Sequence, residues 1–204
     1  MPKCHATSKF HISNSLWNKL PNRFIIKHSN SSGYNIVVDE KGTTDLCMIN
    51  RVLKCLKKVK YGLRKNEPVY SFFGGILYTE FIENVTDYKF FCFNGEVKFI
   101  AIVKEWLKEN SSNEPYQVIV DKSFKELPFS YGYERGPIIY EKPSYFDDML
   151  AVVEKLSSNI PHVRLDMMGT VDRFYFGEFT FFPGGGRDRF FPNEYDLIVG
   201  KYIK

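Results

Sequence analysis

No apolar run in this chain approaches the length of a bilayer. The longest, Phe90–Phe93 and Phe99–Val103, fall far short of the roughly 20 residues a spanning helix needs, and the N-terminus lacks the apolar stretch of a signal peptide. A cytoplasmic protein with no membrane span is expected. Cysteine is scarce and scattered: Cys4, Cys47, Cys55 and Cys92 have no C-x-x-C spacing and no nearby histidine pair. That argues against a zinc site or a disulfide frame and predicts four reduced, mostly buried thiols. The P-loop pattern G-x-x-x-x-G-K-[ST] is missing, and so is an Asp-x-Asp metal motif. Charge of one sign is lacking too, because 28 basic residues stand against 24 acidic ones for a formal net charge of +4. The basic residues are dispersed, which argues only weakly for a polyanionic partner; a nucleotide suits this balance as well as a nucleic acid.

What is present is apolar and aromatic. With 204 residues, 44% of them hydrophobic and 17% aromatic, the chain can bury one good core, or two small lobes sharing one cleft. Residues 1–22 are polar and short on periodicity and read as a loose lead-in. "RFIIK" and "YNIVVDE" are β-branched runs separated by the small-residue loop "HSNSSG". In "TTDLCMINRVLKCLKKVK", Leu46, Ile49, Leu53 and Leu56 fall on one stripe, which predicts an amphipathic helix capped by Thr43 or Thr44. Pro68 and the Gly74-Gly75 pair break the pattern before the strand "ILYTEFI". The domain division is therefore read as 1–22, 23–75 and 76–204. Two apolar runs flank Asn94-Gly95 in "DYKFFCFNGEVKFIAIV", as a tight hairpin requires. "YQVIV", "HVRLDMM" and "RFYFGEFTFF" read as further strands, "SYFDDMLAVVEKLSSNI" as a helix with a Ser144/Asp147 capping pattern, and "NEYDLIVGKYIK" as a closing helix. Helices set against largely antiparallel strands make the class α+β.

The chemistry concentrates in "YFGEFTFFPGGGRDRFFP", residues 175–192. Strand alternation sets Tyr175, Gly177, Phe179 and Phe181 on one face and Phe176, Glu178, Thr180 and Phe182 on the other. In "HVRLDMM" the same count places Arg164 beside Asp166, and a turn at "MGTVDR" brings Asp166 opposite Glu178. Two carboxylates and a hydroxyl on adjacent strands are hard oxygen donors of the kind Mg²⁺ takes together with phosphate oxygens. Arg164 would stand beside them as a fixed cation. An ion-pair network among Arg164, Asp166 and Glu178, with no ligand, accounts equally well for the spacing. The "PGGG" run frees backbone N–H groups to approach a ligand, with Arg187 and Arg189 within reach of an anion held there; a mobile turn is the plainer alternative. Lys27 ends a strand at the mouth of "HSNSSG", an arrangement suited to phosphate, although a strand-end lysine is more often merely solvated. His28 and His162 have no partner within a motif and are given no catalytic role.

In this order, Lys27 with its small-residue loop, "YTEFIENVTDYK", "VRLD", "YFGEFTFFPGGG" and "PNEYD" resemble the ATP-grasp superfamily, and within it the TupA-like branch associated with cell-surface polysaccharide synthesis. The resemblance runs from Pro21 to the C-terminus and rests on the ordered set of motifs. It implies an ATP-grasp fold of two α+β lobes and ATP with Mg²⁺ as cofactors. Lys27 would contact the phosphates, with Ser31, Ser32 and Gly33 folding over them. Glu80 and the backbone of Phe81 and Ile82 would read adenine, Asp87 would meet the ribose, and Lys89 would be a further phosphate or substrate contact. Asp166 and Glu178 would hold magnesium, with Thr180 standing where many of these enzymes have asparagine. Arg164 would stabilise the oxyanion as an amine adds.

The implied reaction is phosphorylation of a carboxylate by ATP and capture of the acylphosphate by an amine. The implied partners are a small-molecule or glycan carboxylate and an amine acceptor, with no nucleic acid; a homodimer is compatible with the sequence. Two departures stand out. Family members have a sizeable region before the first ATP-grasp strand where this chain has residues 1–22, so a piece that shapes the acceptor site is expected to be reduced. The loop "HSNSSG" also replaces a run richer in glycine. Either departure is compatible with an altered substrate or with loss of activity. The alternatives are a weakened scaffold that binds nucleotide or glycan without turnover, and a polysaccharide-biosynthesis glycosyltransferase.

Overall fold

A computed structural model describes residues 1–9, 11–29, 35–56, 68–71, 74–104, 116–132, 135–136 and 140–203. The chain divides into two compact units, Pro2–Ile82 and, apart from Met1, Glu83–Lys204.

In the first unit, strands β1 (Cys4–Ser8), β2 (Phe24–His28), β3 (Ile36–Val38) and β4 (Ile76–Thr79) form an antiparallel sheet in the order β1-β4-β2-β3. Residues 1–22 are therefore part of the fold. They supply β1 and the helix α1 (Asn14–Lys19), whose start is capped by the Ser13 hydroxyl accepting from the Leu16 N–H at 3.2 Å. Three of their apolar side chains, Ile12, Trp17 and Leu20, are buried against Phe24, Ile26 and Tyr78 of the sheet. The end of α1 is closed from a distance: Lys41 Nζ donates to the carbonyls of Leu20 at 2.7 Å and Trp17 at 3.2 Å, where a cation suits the negative helix terminus. The strand at Ile76 also belongs here, since β4 pairs with both β1 and β2. The unit thus ends at Ile82, beyond the Gly74-Gly75 break.

Helix α2 (Leu46–Leu56) buries Ile49 and Leu53, as its stripe predicts. Its cap is Asp45 rather than either threonine: Asp45 Oδ1 accepts from the N–H groups of Cys47 at 2.8 Å and Met48 at 3.2 Å. A single 3-10 turn, Lys41–Thr43, precedes it, and the Thr43 and Thr44 hydroxyls donate back to the Glu40 carbonyl at 3.2 and 2.6 Å. Cys47 and Cys55 lie on the outer side of α2 and Cys4 on the first strand, all exposed; only Cys92 is a buried thiol.

The second unit is built on β5 (Thr86–Phe93), β6 (Glu96–Lys104), β7 (Tyr116–Val120), β9 (His162–Gly169) and β10 (Phe174–Thr180), in the antiparallel order β10-β9-β5-β6-β7. Asn94 and Gly95 take φ of 52° and 80° at the β5–β6 turn, the positive values a two-residue hairpin demands. One face of the sheet packs Tyr88, Phe90, Ile100, Val163, Leu165 and Met167 against helix α3 (Phe146–Ser157), which buries Phe146, Met149 and Val153. That helix starts without a side-chain cap, because the capping position falls on Tyr145 rather than Ser144, and Asp147, inside the first turn, pairs with Lys142 at 2.8 Å. The other face is apolar only where Phe91, Phe93, Phe99, Ala101 and Ile119 meet Phe129, Phe190 and Val199. These last come from the segment around the short ribbon of β8 (Ser130–Tyr131) and β11 (Phe190–Phe191), and from helix α4 (Glu194–Gly200). Toward β9 and β10 this same face turns polar. No described helix is long and apolar enough to cross a membrane.

Strand β10 does not alternate strictly. Phe176 pairs with Met167 but Glu178 with Asp166, so Gly177 is an extra residue in a bulge. Past the bulge the faces change partners. Tyr175 now shares a face with Glu178 and Thr180, and Phe176 shares one with Phe179, the two rings lying 5.1 Å apart. The bulge needs glycine, because a Cβ at position 177 would come within 2.8 Å of the Asp166 carbonyl oxygen, closer than real Cβ contacts and against backbone that cannot swing away. Gly177→Ala is therefore expected to lower stability by about 1–3 kcal/mol in urea unfolding, and an unchanged midpoint would refute this reading of the bulge.

Candidate functional site

Three neighbouring strands place a row of ionisable side chains on the polar face. Lys89 of β5 pairs in register with Asp166 of β9, which pairs with Glu178 of β10; in the next row Phe91 pairs with Arg164 and Arg164 with Thr180. Because paired residues share a face, Lys89, Asp166, Glu178, Arg164 and Thr180 emerge together. Asp166 is the hub. Its Oδ1 accepts from Arg164 Nε at 2.6 Å, while its Oδ2 accepts from Arg164 Nη2 at 2.7 Å and from Lys89 Nζ at 3.3 Å. Arg164 Nη2 also donates to the Thr180 hydroxyl at 3.2 Å.

The side chains of Arg164, Asp166 and Lys89 are only 14%, 15% and 19% exposed. Their attraction is thus weakly screened, unlike that of a surface pair. Burial works against the charge of Arg164, but Asp166 and, more weakly, Glu178 outweigh it and hold the guanidinium above its usual range. Two cations and two carboxylates leave the cluster with no net charge, so an anion alone gains little there. A divalent cation bound by the carboxylates would change that balance.

The donor set fits such a cation. No group of three or more His, Cys, Asp or Glu occurs among the described residues, and Mg²⁺ is commonly held by one or two carboxylates with the remaining positions filled by phosphate and water oxygens. Glu178 is exposed on the strand, while Asp166 would have to share its oxygens with Arg164. Thr180 presents its oxygen to Arg164 in this structure, so its contact here is with the guanidinium.

Beyond the carboxylates the chain turns through Pro183–Gly186, with Gly184, Gly185 and Gly186 all at positive φ, between 57° and 70°. Within this run the Gly185 N–H is spent inside the turn, donating to the Phe182 carbonyl at 2.9 Å, and just past the run the Arg187 N–H donates back to the Gly184 carbonyl at 3.2 Å. Tyr131 holds the turn down, its hydroxyl donating to the Pro183 carbonyl at 3.2 Å while its ring meets Phe91 edge-on at 5.1 Å. Burial, with help from Asp188, raises its pKa, so it remains a neutral donor. Nothing in "SYGYERG" singles out this tyrosine. Arg187 and Arg189 are both exposed.

The other candidates lie as follows. Asp87 is on β5, two residues before Lys89 and on the same face, half-buried. Lys27, Glu80, Phe81 and Ile82 belong to the first unit. Lys27 is half-buried near the end of β2, and none of the described residues pairs with its ammonium. Glu80 follows β4 directly. Its N–H donates to the Lys3 carbonyl at 2.8 Å and its carboxylate accepts from the Lys3 N–H at 3.2 Å. The Phe81 ring lies under the Arg23 guanidinium, 3.9 Å away. Ser31, Ser32 and Gly33 lie outside the described residues.

His162, at the start of β9, donates from Nδ1 to the Cys92 carbonyl at 3.1 Å and stacks on Phe93 at 4.4 Å. Burial lowers its pKa, more than that carbonyl restores. A histidine depressed on folding binds fewer protons than in the unfolded chain, so its contribution is intact above the ordinary value of 6.5 and is lost as pH falls below it. His162→Asn, which keeps a donor for the Cys92 carbonyl, is expected to flatten the dependence of stability on pH below 6.5, measured by urea titrations; an unaltered slope would contradict it.

No protein of curated function matches the sequence. Among solved structures, the D-alanine–D-alanine ligase of Bacillus anthracis superposes over 98% of this chain and 56% of its own, at 14% identity and a TM-score of 0.50. The corresponding ligase of Helicobacter pylori covers 90% of this chain and 50% of its own at 15% identity, with a TM-score of 0.45. The chain thus spans about half the length of these two structures, and at 14% identity the likeness to the Bacillus anthracis ligase shows the ATP-grasp fold alone. The family model for TupA-like ATPgrasp matches residues 10–204, which takes in both units, and on that match the chain belongs to the TupA-like ATP-grasp family.

Proposed function

We propose that this protein is an ATP- and Mg²⁺-dependent ligase that joins a carboxylate to an amine, with a cell-surface polysaccharide or its precursor as substrate. The observation that carries the reading is the placement of Asp166 and Glu178 opposite one another on adjacent strands, beside Arg164 and Lys89. Membership of the family supports it, and no Ser-His or Cys-His pair emerged from the motifs to suggest covalent catalysis. Phosphoryl transfer calls for positioning and charge stabilisation rather than a protein nucleophile, and a cluster of fixed charges of both signs is compatible with that.

The substrate carboxylate would attack the γ-phosphorus of ATP, releasing ADP. The amine would then attack the acyl carbon and release phosphate. Asp166 and Glu178 would hold Mg²⁺, which supplies charge neutralisation on the phosphate oxygens. Arg164 is oriented before any ligand arrives, because two of its nitrogens are held by Asp166 and one of these also meets Thr180. Such preorganisation is what gives a cation its value toward developing negative charge. Lys89 would meet phosphate or substrate oxygens on the same face, and Asp87 the ribose. In the first unit, Lys27 would take phosphate, and Glu80, Phe81 and Ile82 the base.

A second reading, nucleotide binding without turnover, is favoured by one observation: both oxygens of Asp166 are already engaged by Arg164. Calorimetry with Mg-ATP and release of ADP over a panel of uronic acids and amino acids separate the two. Ligation predicts both signals, and binding alone would leave only the second reading. Glu178→Gln and Lys27→Ala are each expected to reduce ADP release by at least about 100-fold without lowering the melting temperature. Absence of Mg²⁺-dependent nucleotide binding by the unaltered protein would refute the proposal.

A further inference from the structure

By strand alternation alone, the Thr180 hydroxyl is a third oxygen beside Asp166 and Glu178. Register gives it a different neighbour. Thr180 pairs directly with Arg164 across β9 and β10, while Glu178 pairs with Asp166 one row away. Same-face positions two residues apart on a strand are separated by roughly 7 Å. Threonine carries its oxygen on Cβ, and branching there leaves χ1 few choices, so the hydroxyl cannot follow a ligand into the carboxylate row. It is met from that row instead: Arg164 Nη2, bonded to Asp166 Oδ2 at 2.7 Å, also donates to Thr180 Oγ1 at 3.2 Å.

The guanidinium therefore lies between Thr180 and Asp166. A divalent cation drawing on both would need the space that Nη2 fills, beside a charge that repels it. With the Arg164 side chain sheltered, little water screens that repulsion. Asp166 limits the count as well. It accepts three bonds, one at Oδ1 from Arg164 Nε and two at Oδ2 from Arg164 Nη2 and Lys89 Nζ. An ionised carboxylate offers about four lone-pair sites, so Oδ1 keeps room for one further contact and not for two. Glu178, across from Asp166 on the edge strand and exposed, is placed to share that contact. The three bonds that fix Arg164 use Nε and Nη2, which leaves the Nη1 end of the fork for reactants.

We propose that Thr180 is a positioning residue that fixes the Arg164 guanidinium, and that the cluster consequently holds one divalent cation, shared by Asp166 and Glu178, rather than two. This rests on the Mg-ATP reading above and adds to it the metal count and the part Thr180 plays. Thr180→Val keeps the branched shape and removes the hydroxyl. Equilibrium dialysis of the full chain against excess Mn²⁺ and a non-hydrolysable ATP analogue counts both ligands bound. A single Mn²⁺ per bound nucleotide is expected, and Thr180→Val should keep that ratio and alter nucleotide affinity by less than about twofold. In NMR spectra of the ligand-free chain labelled with ¹⁵N-arginine, Thr180→Val is expected to shift the Nη2–H resonance of Arg164, assigned by its loss in Arg164→Lys. Thr180→Ser, which returns the hydroxyl, should restore it. A second Mn²⁺ per bound nucleotide, or loss of metal in Thr180→Val, would overturn the metal count; an Arg164 resonance that does not move would overturn the positioning role. Either result leaves nucleotide binding in place, whereas failure of the unaltered protein to bind the analogue with Mn²⁺ would overturn the ATP reading as well.

Discussion

Asp166 gives both of its carboxylate oxygens to Arg164 and receives Lys89 from the neighbouring strand, with Glu178 across from it on the other side. Charges this sheltered need partners, because an isolated ion removed from water is strongly disfavoured. The surrounding structure depends on meeting that need. The sheet face that is apolar at β6 and β7 must become polar at β9, and the edge strand must deliver Glu178 and Thr180 to the right side. Arg164 is consequently rigid and charged in the absence of any ligand, the state in which a cation is most useful to a reaction that builds negative charge.

The bulge at Gly177 and the aromatic packing solve one problem between them. Strict alternation along β10 would put Phe176 on the polar face with Glu178. One extra residue sends Phe176 back toward the core built on α3, where Phe174 also packs, and still turns Glu178 toward Asp166. On the polar face the apolar cluster of Phe91, Phe99, Phe129 and Phe190 supports Tyr131, which in turn holds the glycine turn by the Pro183 carbonyl. Aromatic residues here are scaffolding for an ionic site.

Much of this was legible residue by residue. The Asn94-Gly95 hairpin, the buried stripe of α2 and the in–out alternation of "HVRLDMM" are local patterns, and each reports its own geometry. The opposition of Asp166 and Glu178 is only half local: a short connection brings the two strands together, but without the extra residue at Gly177 the regular register would set Glu178 against Leu165. Other features were not local. Residues 1–22 read as a loose lead-in because β1 is a short strand with little alternation and its pairing partner, β4, lies some seventy residues on; the Ser8 hydroxyl bonded to Tyr78 spans 70 positions. The cap of α2 fell to Asp45 because a 3-10 turn occupied the threonines first. The N–H groups of "PGGG" looked available for a ligand, yet that of Gly185 closes the turn on the Phe182 carbonyl.

Sequence alone determined the types and order of most elements, the α+β class and the inventory of charged groups, because periodicity and turn chemistry act over a few residues. Tertiary structure decided which of those charges meet. Register between distant strands, the single inserted residue at Gly177 and the burial of the Asp166 cluster depend on contacts far apart in the chain. It also decided that the Thr180 hydroxyl would meet Arg164, since the partner of a side chain is a property of its surroundings and leaves no mark in the order of residues.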